Sequence, residues 1–108
     1  MPELLEYVDS RGRNRYRDWL EKLDASARVR IVFAILRLEQ RNFGSTKSVG
    51  AGVSELRLDF GPGYRVYFGR EADRLVILLL GGSKRRQQAD IATAQMLWAE
   101  YKRGKREI

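Results

Sequence analysis

At 108 residues the chain has room for one small domain with a modest core. It carries 21 lysine and arginine residues against 14 aspartate and glutamate residues, and the resulting charge of +7 favours a polyanionic partner, either nucleic acid or an acidic protein segment. The absence of cysteine and histidine excludes a disulfide framework, a thiolate metal site and histidine-based acid–base chemistry, so we expect neither a metal nor a cofactor. Without a long apolar run or a signal-peptide pattern, we expect one cytoplasmic domain over residues 1–108.

The first part of the chain predicts a strand followed by two helices. Residues 4–8 are short and apolar, which is typical of a first or edge strand. Asn14 and Asp24 are expected to cap the two helices, the second of which should end near residues 42–44. Both helices carry apolar stripes at helical spacing, and together they predict a helical hairpin. The stripe residues are expected in the core: Tyr16, Trp19, Leu20, Leu23, Val29, Ile31, Val32, Phe33, Ile35, Leu36 and Leu38.

Residues 44–52 form a loop rich in Gly, Ser, Thr and Lys, and a hairpin follows it. Gly61, Pro62 and Gly63 supply the turn of that hairpin. Alternation assigns one face to the core, with Leu56, Leu58, Phe60, Tyr64, Val66 and Phe68, and the other to a charged platform, with Glu55, Arg57, Asp59, Arg65 and Tyr67. Two arginines facing each other across a hairpin favour an anion between them, and phosphate suits the guanidinium fork.

A strand covered on both faces is predicted at residues 75–80, because apolar side chains occupy both parities. Residues 81–83 should break it, and a last helix should begin near Lys84 with its apolar face at Ile91, Ala94, Leu97, Trp98 and Tyr101. The basic residues 102–106 are expected to form a frayed, solvated end. Lys84, Arg85 and Arg86 are unfavourable at a helix N-terminus, which indicates a use such as anion binding. The element order predicts an α+β fold.

Three segments resemble the RelE/ParE toxin superfamily, and within it the HigB-like, phage Gp49-related addiction module killer proteins. They are NFGSTKSVGAGVSELRLDFGPGYRVYFG, LLLGGSKRRQQADI and ATAQMLWAEYKR. The resemblance implies a RelE-like fold and the toxin of a type II toxin–antitoxin module that cuts mRNA on the ribosome. It also implies a cognate antitoxin, a small helix-turn-helix protein, through which alone the toxin would meet DNA.

Cleaving RNA through its 2′-OH needs a proton acceptor, cations that stabilise the extra negative charge, and a proton donor for the leaving oxygen. Lys47, Arg57, Arg65 and Lys84 are the candidate catalytic residues of the endoribonuclease that the resemblance implies. Glu55, Tyr67, Arg85 and Arg86 are candidate RNA contacts, and Glu55 competes with the lysines as the base. In ribosome-dependent relatives a tyrosine or histidine near the last helix assists, and residues 84–90 contain neither.

Other interpretations stay open at this point. Arg57 could simply pair with Glu55 or Asp59, and Arg65 could have a structural role at the turn. Some members of the superfamily poison DNA gyrase instead of cutting mRNA, and a non-catalytic module that binds RNA or the antitoxin also fits the charge. An acidic antitoxin would be expected to cover the surface near residues 84–86.

Overall fold

The computed structural model describes residues 2–106, which form five strands and three α-helices. Strand β1 (Glu3–Glu6) precedes helices α1 (Arg15–Glu21) and α2 (Ala25–Glu39). Strands β2 (Thr46–Ser48), β3 (Val53–Leu58), β4 (Tyr64–Glu71) and β5 (Leu75–Ser83) follow. A 3₁₀ turn, Lys84–Arg86, leads into α3 (Gln87–Arg106). The predicted α+β fold is confirmed.

One mixed sheet contains all five strands in the order β1-β5-β4-β3-β2. The edge strand β1 runs parallel to β5, and the other neighbours are antiparallel. The sequence predicts three antiparallel strands and misses β2, which lies inside the predicted loop. Its three residues lack apolar alternation, and only pairing with residues 54–56 of β3 makes them a strand.

The predicted helix caps are confirmed. Asn14 Oδ1 accepts a hydrogen bond from the Arg17 N–H at 2.9 Å, and Asp24 Oδ1 accepts one from the Ala27 N–H at 2.8 Å. Helix α2 ends at Glu39, earlier than predicted. Arg41 adopts a φ of 63°, and the Asn42 N–H donates to the Arg37 carbonyl at 2.8 Å, so a left-handed residue stops the helix.

Helices cover the two faces of the sheet differently. Helices α1 and α2 pack on one face over a cluster that includes Leu56, Leu58, Val66 and Phe68, as the alternation predicts. Helix α3 packs on the other face through Ala94, Leu97 and Trp98, with Ile91 and Tyr101 at its margin. The charged platform predicted for that second face is wrong over most of its area, because α3 turns it into a second apolar core.

Strand β5 continues through Gly81 and Gly82, so the predicted break there is wrong. A Cβ at Gly81 would lie 2.0 Å from Trp19 Cε3, and a Cβ at Gly82 would lie 2.0 Å from Asp90 Oδ2. The glycines therefore admit side chains of α1 and α3 against the sheet and do not end the strand.

In helix α2 the observed core is smaller than the predicted one. Ile31, Ile35 and Leu38 are buried, whereas four other predicted core residues are exposed: Val29, Val32, Phe33 and Leu36. These four lie on the side of α2 that faces away from the sheet, so α2 is apolar on two opposite sides.

The predicted frayed end at residues 102–106 is also wrong over its described part, because α3 continues to Arg106. Lys105 pairs with Glu71 on β4, and the Lys102 amine lies 5.9 Å from the centroid of the Trp98 ring. None of the helices within residues 2–106 has the length and apolarity needed to cross a membrane.

Candidate nucleic-acid interface

Arg57 is the centre of a cationic surface at one end of the sheet. It lies directly opposite Arg65 in the β3–β4 register, as the hairpin alternation predicts. Its side chain is 61% exposed, and its Nε lies 3.2 Å from Asp59 Oδ1. The alternative that Arg57 pairs with Asp59 is therefore observed. An exposed pair of this kind contributes only ~0–1 kcal/mol, so an incoming phosphate can displace the carboxylate.

Three adjoining depressions share Arg57 as a wall residue. The largest, about 480 Å³, lies between α2 and the end of β3. Arg30, Phe33 and Arg37 of α2 form its outer wall, and the Arg30 guanidinium lies 3.8 Å above the Phe60 ring. Arg30 and Arg37 therefore lie beside the exposed ring of Phe33. Arginines bind phosphates, and an exposed aromatic ring can stack on a base.

Sequence reasoning misses this α2 wall because it assigns Phe33 to the core. A usable signal exists in the sequence: Arg30 and Arg37 are seven residues apart on α2 and therefore share a side of the helix.

The second depression, about 370 Å³, lies at the β3–β4 turn and brings Lys84 to the hairpin. The backbone N–H of Lys84 donates to the Gly63 carbonyl at 2.8 Å, and Arg65 Nη1 donates to the same carbonyl at 3.2 Å. Gly61 and Gly63 have φ of 54° and 76°, so the predicted glycine turn is confirmed. Lys84, Arg85 and Arg86 are all exposed on the 3₁₀ turn.

The third depression, about 180 Å³, contains Lys47 beside Arg57. The sequence predicts Lys47 in a loop, and the structure places it on β2 opposite Glu55. Its Nζ lies 3.9 Å from Glu55 Oε1 and its side chain is 66% exposed. Lys47, Arg57 and Lys84 therefore reach one continuous surface from three different elements.

Glu55 lies beneath that surface and not on it, since only 1% of the residue is exposed. Gln87 Nε2 donates to Glu55 Oε2 at 2.8 Å, and Arg65 Nε lies 3.7 Å from Glu55 Oε1. Gln87 at the start of α3 covers the Glu55 carboxylate, so almost none of its surface is left for the RNA contact that the sequence predicts. Glu55 instead supplies a buried negative charge that holds Arg65 and Lys47 in position.

Arg65 is mostly buried too, with a side-chain exposure of 8%. Its Nη1 donates to the carbonyls of Gly63 and Tyr64, at 3.2 and 3.3 Å. The structural alternative for Arg65 is therefore observed, although the residue also lines the second depression.

Tyr67 of β4 and Asp90 of α3 are also buried, where α3 packs on the sheet. Tyr67 is fully buried and its hydroxyl has no hydrogen-bond partner within residues 2–106, so the structure leaves none of its surface open for the RNA contact that the sequence predicts. Burial, with the nearby Glu55 and Asp90 carboxylates, raises the pKa of Tyr67 far above its ordinary value. Burial likewise raises the pKa of Asp90, and the Arg86 charge opposes this shift. No residue pattern in the sequence marks these groups as buried.

Fold and surface together define an α+β protein with a cationic cluster at one end of its sheet. The cluster consists of Arg57 at the centre with Lys47 and Lys84 on either side. A sequence model of the family described as phage derived protein Gp49-like (DUF891) matches residues 18–99, and the chain belongs to this family. The chain is also 48% identical over 83 residues to a protein of Haemophilus influenzae named "Uncharacterized protein". That alignment covers 76% of this chain and 84% of the relative. No solved structure matches the chain.

Proposed function

We propose that this protein is a HigB-like toxin of the RelE/ParE superfamily, which cleaves mRNA on the ribosome and is neutralised by a cognate antitoxin. Its family is associated with RelE-like, toxin-related proteins, and this association supports the proposal. The observation that carries it is the exposed guanidinium of Arg57, which borders all three depressions. A strand-mounted cation that an RNA phosphate can reach from several directions suits transition-state stabilisation.

In this proposal, the exposed residues of the site contact RNA and the buried residues hold them in position. Arg57 stabilises the negative charge that develops when the 2′-OH gives up its proton to water and attacks the adjacent phosphate, which breaks the bond to the 5′ oxygen, and that oxygen leaves with a proton from water. Lys47 and Lys84 bind the same phosphate or its neighbours from either side, since their side chains are exposed. Arg65 and Glu55 are positioning residues: they fix the β3–β4 turn and β2 from below. Arg85 and Arg86 extend the phosphate-binding surface beyond Lys84.

The large depression extends the same surface toward α2. Arg30 and Arg37 provide charges for phosphates that flank the cleaved one, and Phe33 offers a ring face on which a base can stack. RNA would then lie across the C-terminal end of β3. Arg57 would contact it between the α2 wall and the β3–β4 turn.

The test compares cleavage by the wild-type protein, Arg57→Ala and a matched control, Arg74→Ala. Arg74 is an exposed arginine in the β4–β5 turn, at the opposite end of the sheet. Primer extension on mRNA after brief expression should show cuts within translated regions for the wild-type protein and for Arg74→Ala. Arg57→Ala should cut about 10²–10³-fold more slowly, the loss expected for one donor to a developing oxyanion. Equal cleavage by all three proteins would contradict the role of Arg57.

One observation favours a second function, non-catalytic RNA binding. Three of the carboxylate and phenol groups near the cationic cluster, those of Glu55, Tyr67 and Asp90, are buried away from RNA, and the exposed carboxylate of Asp59 is paired with Arg57. Under this alternative, the wild-type protein associates with ribosomes and leaves every transcript intact. Intact transcripts accompanied by cleaved gyrase–DNA complexes would instead support the gyrase-directed toxin.

A further inference from the structure

Helix α2 carries an apolar stripe on the side that faces away from the sheet. The outer stripe consists of Val29, Val32, Phe33 and Leu36, which follow the i, i+3, i+4, i+7 spacing of one helix face. Phe33 is 62% exposed and Val29 is 54% exposed. The opposite face of α2 is buried against the sheet through Ile31, Ile35 and Leu38. A helix that is apolar on both sides is typical of a position between two layers, and the part of the chain that the structure describes supplies one of them.

The outer stripe continues onto the edge of the sheet. Val32 and Leu36 border a groove of about 170 Å³ whose other wall includes Leu4 and Leu5 of β1. Leu4 is half-buried and packs on the same core cluster that α2 covers, whereas Leu5 pairs with Ile77 of the α3-side cluster and so lies on the other face of the sheet. The apolar surface therefore extends from α2 onto Leu4 of β1, which is the pattern of an interaction site and not of scattered surface residues.

Arginines border the outer stripe on both sides. At 100° per residue, Arg30 and Arg37 project on one side of the stripe and Arg28 on the other. Helix α2 contains three arginines against one acidic residue, Glu39. A partner that buries the apolar stripe must also place groups next to these cations, and carboxylates are the groups that gain from that position.

We propose that the outer stripe of α2 is the docking surface for an amphipathic helix of another protein, with an apolar face flanked by acidic residues. Helix-in-groove recognition uses apolar anchors at i, i+3, i+4 and i+7, the spacing that the stripe presents. A second copy of this chain fits poorly, because pairing two such stripes brings arginine rims together in a protein of charge +7. This docking does not depend on nuclease activity.

The outer stripe borders the cationic cluster, so a helix docked on the stripe would also affect access to that cluster. Phe33 belongs to the outer stripe and Arg30 and Arg37 border it, and all three also form the wall of the large depression beside Arg57. An acidic helix seated on the stripe would place carboxylates at that wall. If the proposed nuclease function holds, the same partner would exclude RNA from the depression by charge and by bulk.

A pair of synthetic helical peptides tests the docking. Both carry leucines at i, i+3, i+4 and i+7; one has glutamates at the flanking positions and its twin has lysines there. Fluorescence anisotropy with the full chain at low salt should show the glutamate peptide binding at least about tenfold more tightly than the lysine twin. Phe33→Ser and Val29→Ser should each weaken the glutamate peptide about tenfold, as expected for a central apolar anchor.

Met96→Ser is the matched control, because Met96 is an apolar residue of α3 that is 52% exposed. It should leave the affinity unchanged, and Arg37→Glu should reduce the preference for the glutamate peptide. Absence of binding, equal binding of both peptides, or equal effects of Phe33→Ser and Met96→Ser would overturn the proposal. So would a concentration-dependent dimer in analytical ultracentrifugation that Val29→Ser abolishes. Because the readout is binding alone, its failure is separate from a failure of the cleavage assay.

Discussion

The two sides of this molecule distribute charge and apolar surface in opposite ways. Under α3, charged and polar groups such as Glu55, Arg65 and Asp90 lie inside the protein. On the far side of α2, large apolar groups such as Phe33 and Val29 lie outside it. The difference shows that a side chain's position depends on which helix covers it as much as on its own polarity. A buried charge and an exposed apolar stripe both mark places where stability alone does not explain the residue.

Removing Trp98 should have the largest effect on the α3 side. Trp98 is 4% exposed, it stacks on Tyr101 with ring centroids 5.1 Å apart, and it fills the space above Gly69. Trp98→Ala should lower the free energy of unfolding by about 3–5 kcal/mol, since it leaves a large cavity. Urea denaturation measures the loss, and Met96→Ala on the same helix should change stability by under ~0.5 kcal/mol. A loss under ~1 kcal/mol for Trp98→Ala would contradict the packing of α3.

The two facing arginines should respond differently. Arg65→Ala should cost about 3 kcal/mol, because it leaves Glu55 buried without its guanidinium neighbour. Arg57→Ala should cost under ~0.5 kcal/mol, because its pair with Asp59 is exposed. A double variant, Arg65→Ala with Glu55→Gln, should recover part of the loss. Denaturation curves that coincide for the two single arginine variants would show that Arg65 is not held by the buried charge.

A smaller effect is expected where α1 meets the sheet. Gly81→Ala places a Cβ against the Trp19 ring and should cost about 1–3 kcal/mol, the range for overpacking a core. A Cβ at Gly104 would meet no neighbouring group within 4 Å, so Gly104→Ala in α3 should stabilise the protein by up to ~1 kcal/mol. Thermal unfolding of both variants provides the measurement. A Gly81→Ala variant as stable as the wild-type protein would mean that Trp19 does not pack on β5.

The smallest effect concerns the pH dependence of the α3 side. Burial raises the pKa of Asp90, so the folded protein keeps this proton to a higher pH than the unfolded chain, where the pKa is about 3.9. Stability attributable to Asp90 is therefore highest below that value, falls as pH rises through the raised pKa, and stays lower above it.

Asp90→Asn should remove this decline. Unfolding free energies measured across the acidic range should show the variant gaining on the wild-type protein as pH rises. A curve for Asp90→Asn that runs parallel to the wild-type curve would mean that burial does not raise the pKa of Asp90.

The sequence predicts local structure well where one residue type dictates it. Asn14, Asp24 and the glycines of the 61–63 turn have roles that follow from backbone chemistry, and the strand alternation predicts correctly which side chains share a face. What alternation does not contain is the identity of the element that covers each face. Polarity alone assigns Glu55 and Tyr67 to a surface, and α3, which begins some thirty residues after Glu55 in the chain, buries them.

The candidate site is predictable in the same uneven way. Residue type and place around a hairpin single out Lys47, Arg57 and Lys84, and these residues do border adjoining depressions. Arg30 and Arg37 cannot be found this way, because nothing in the order of the chain indicates that α2 lies along the end of β3. The apolar stripe of α2 assigns Phe33 to the core, but within residues 2–106 that side of the helix is left exposed.

The parallel pairing of β1 with β5 has a consequence for how the protein reaches its active form. Glu3 pairs with Leu75, so the first strand cannot dock until the chain has been synthesised as far as β5. The antiparallel strands can assemble earlier through local contacts, whereas this closure joins distant parts of the chain and is slow by comparison. During translation the nascent chain would therefore expose an unfinished sheet edge next to β5. A slow final folding phase, sensitive to substitutions in β1, would delay the appearance of a working molecule after each round of synthesis.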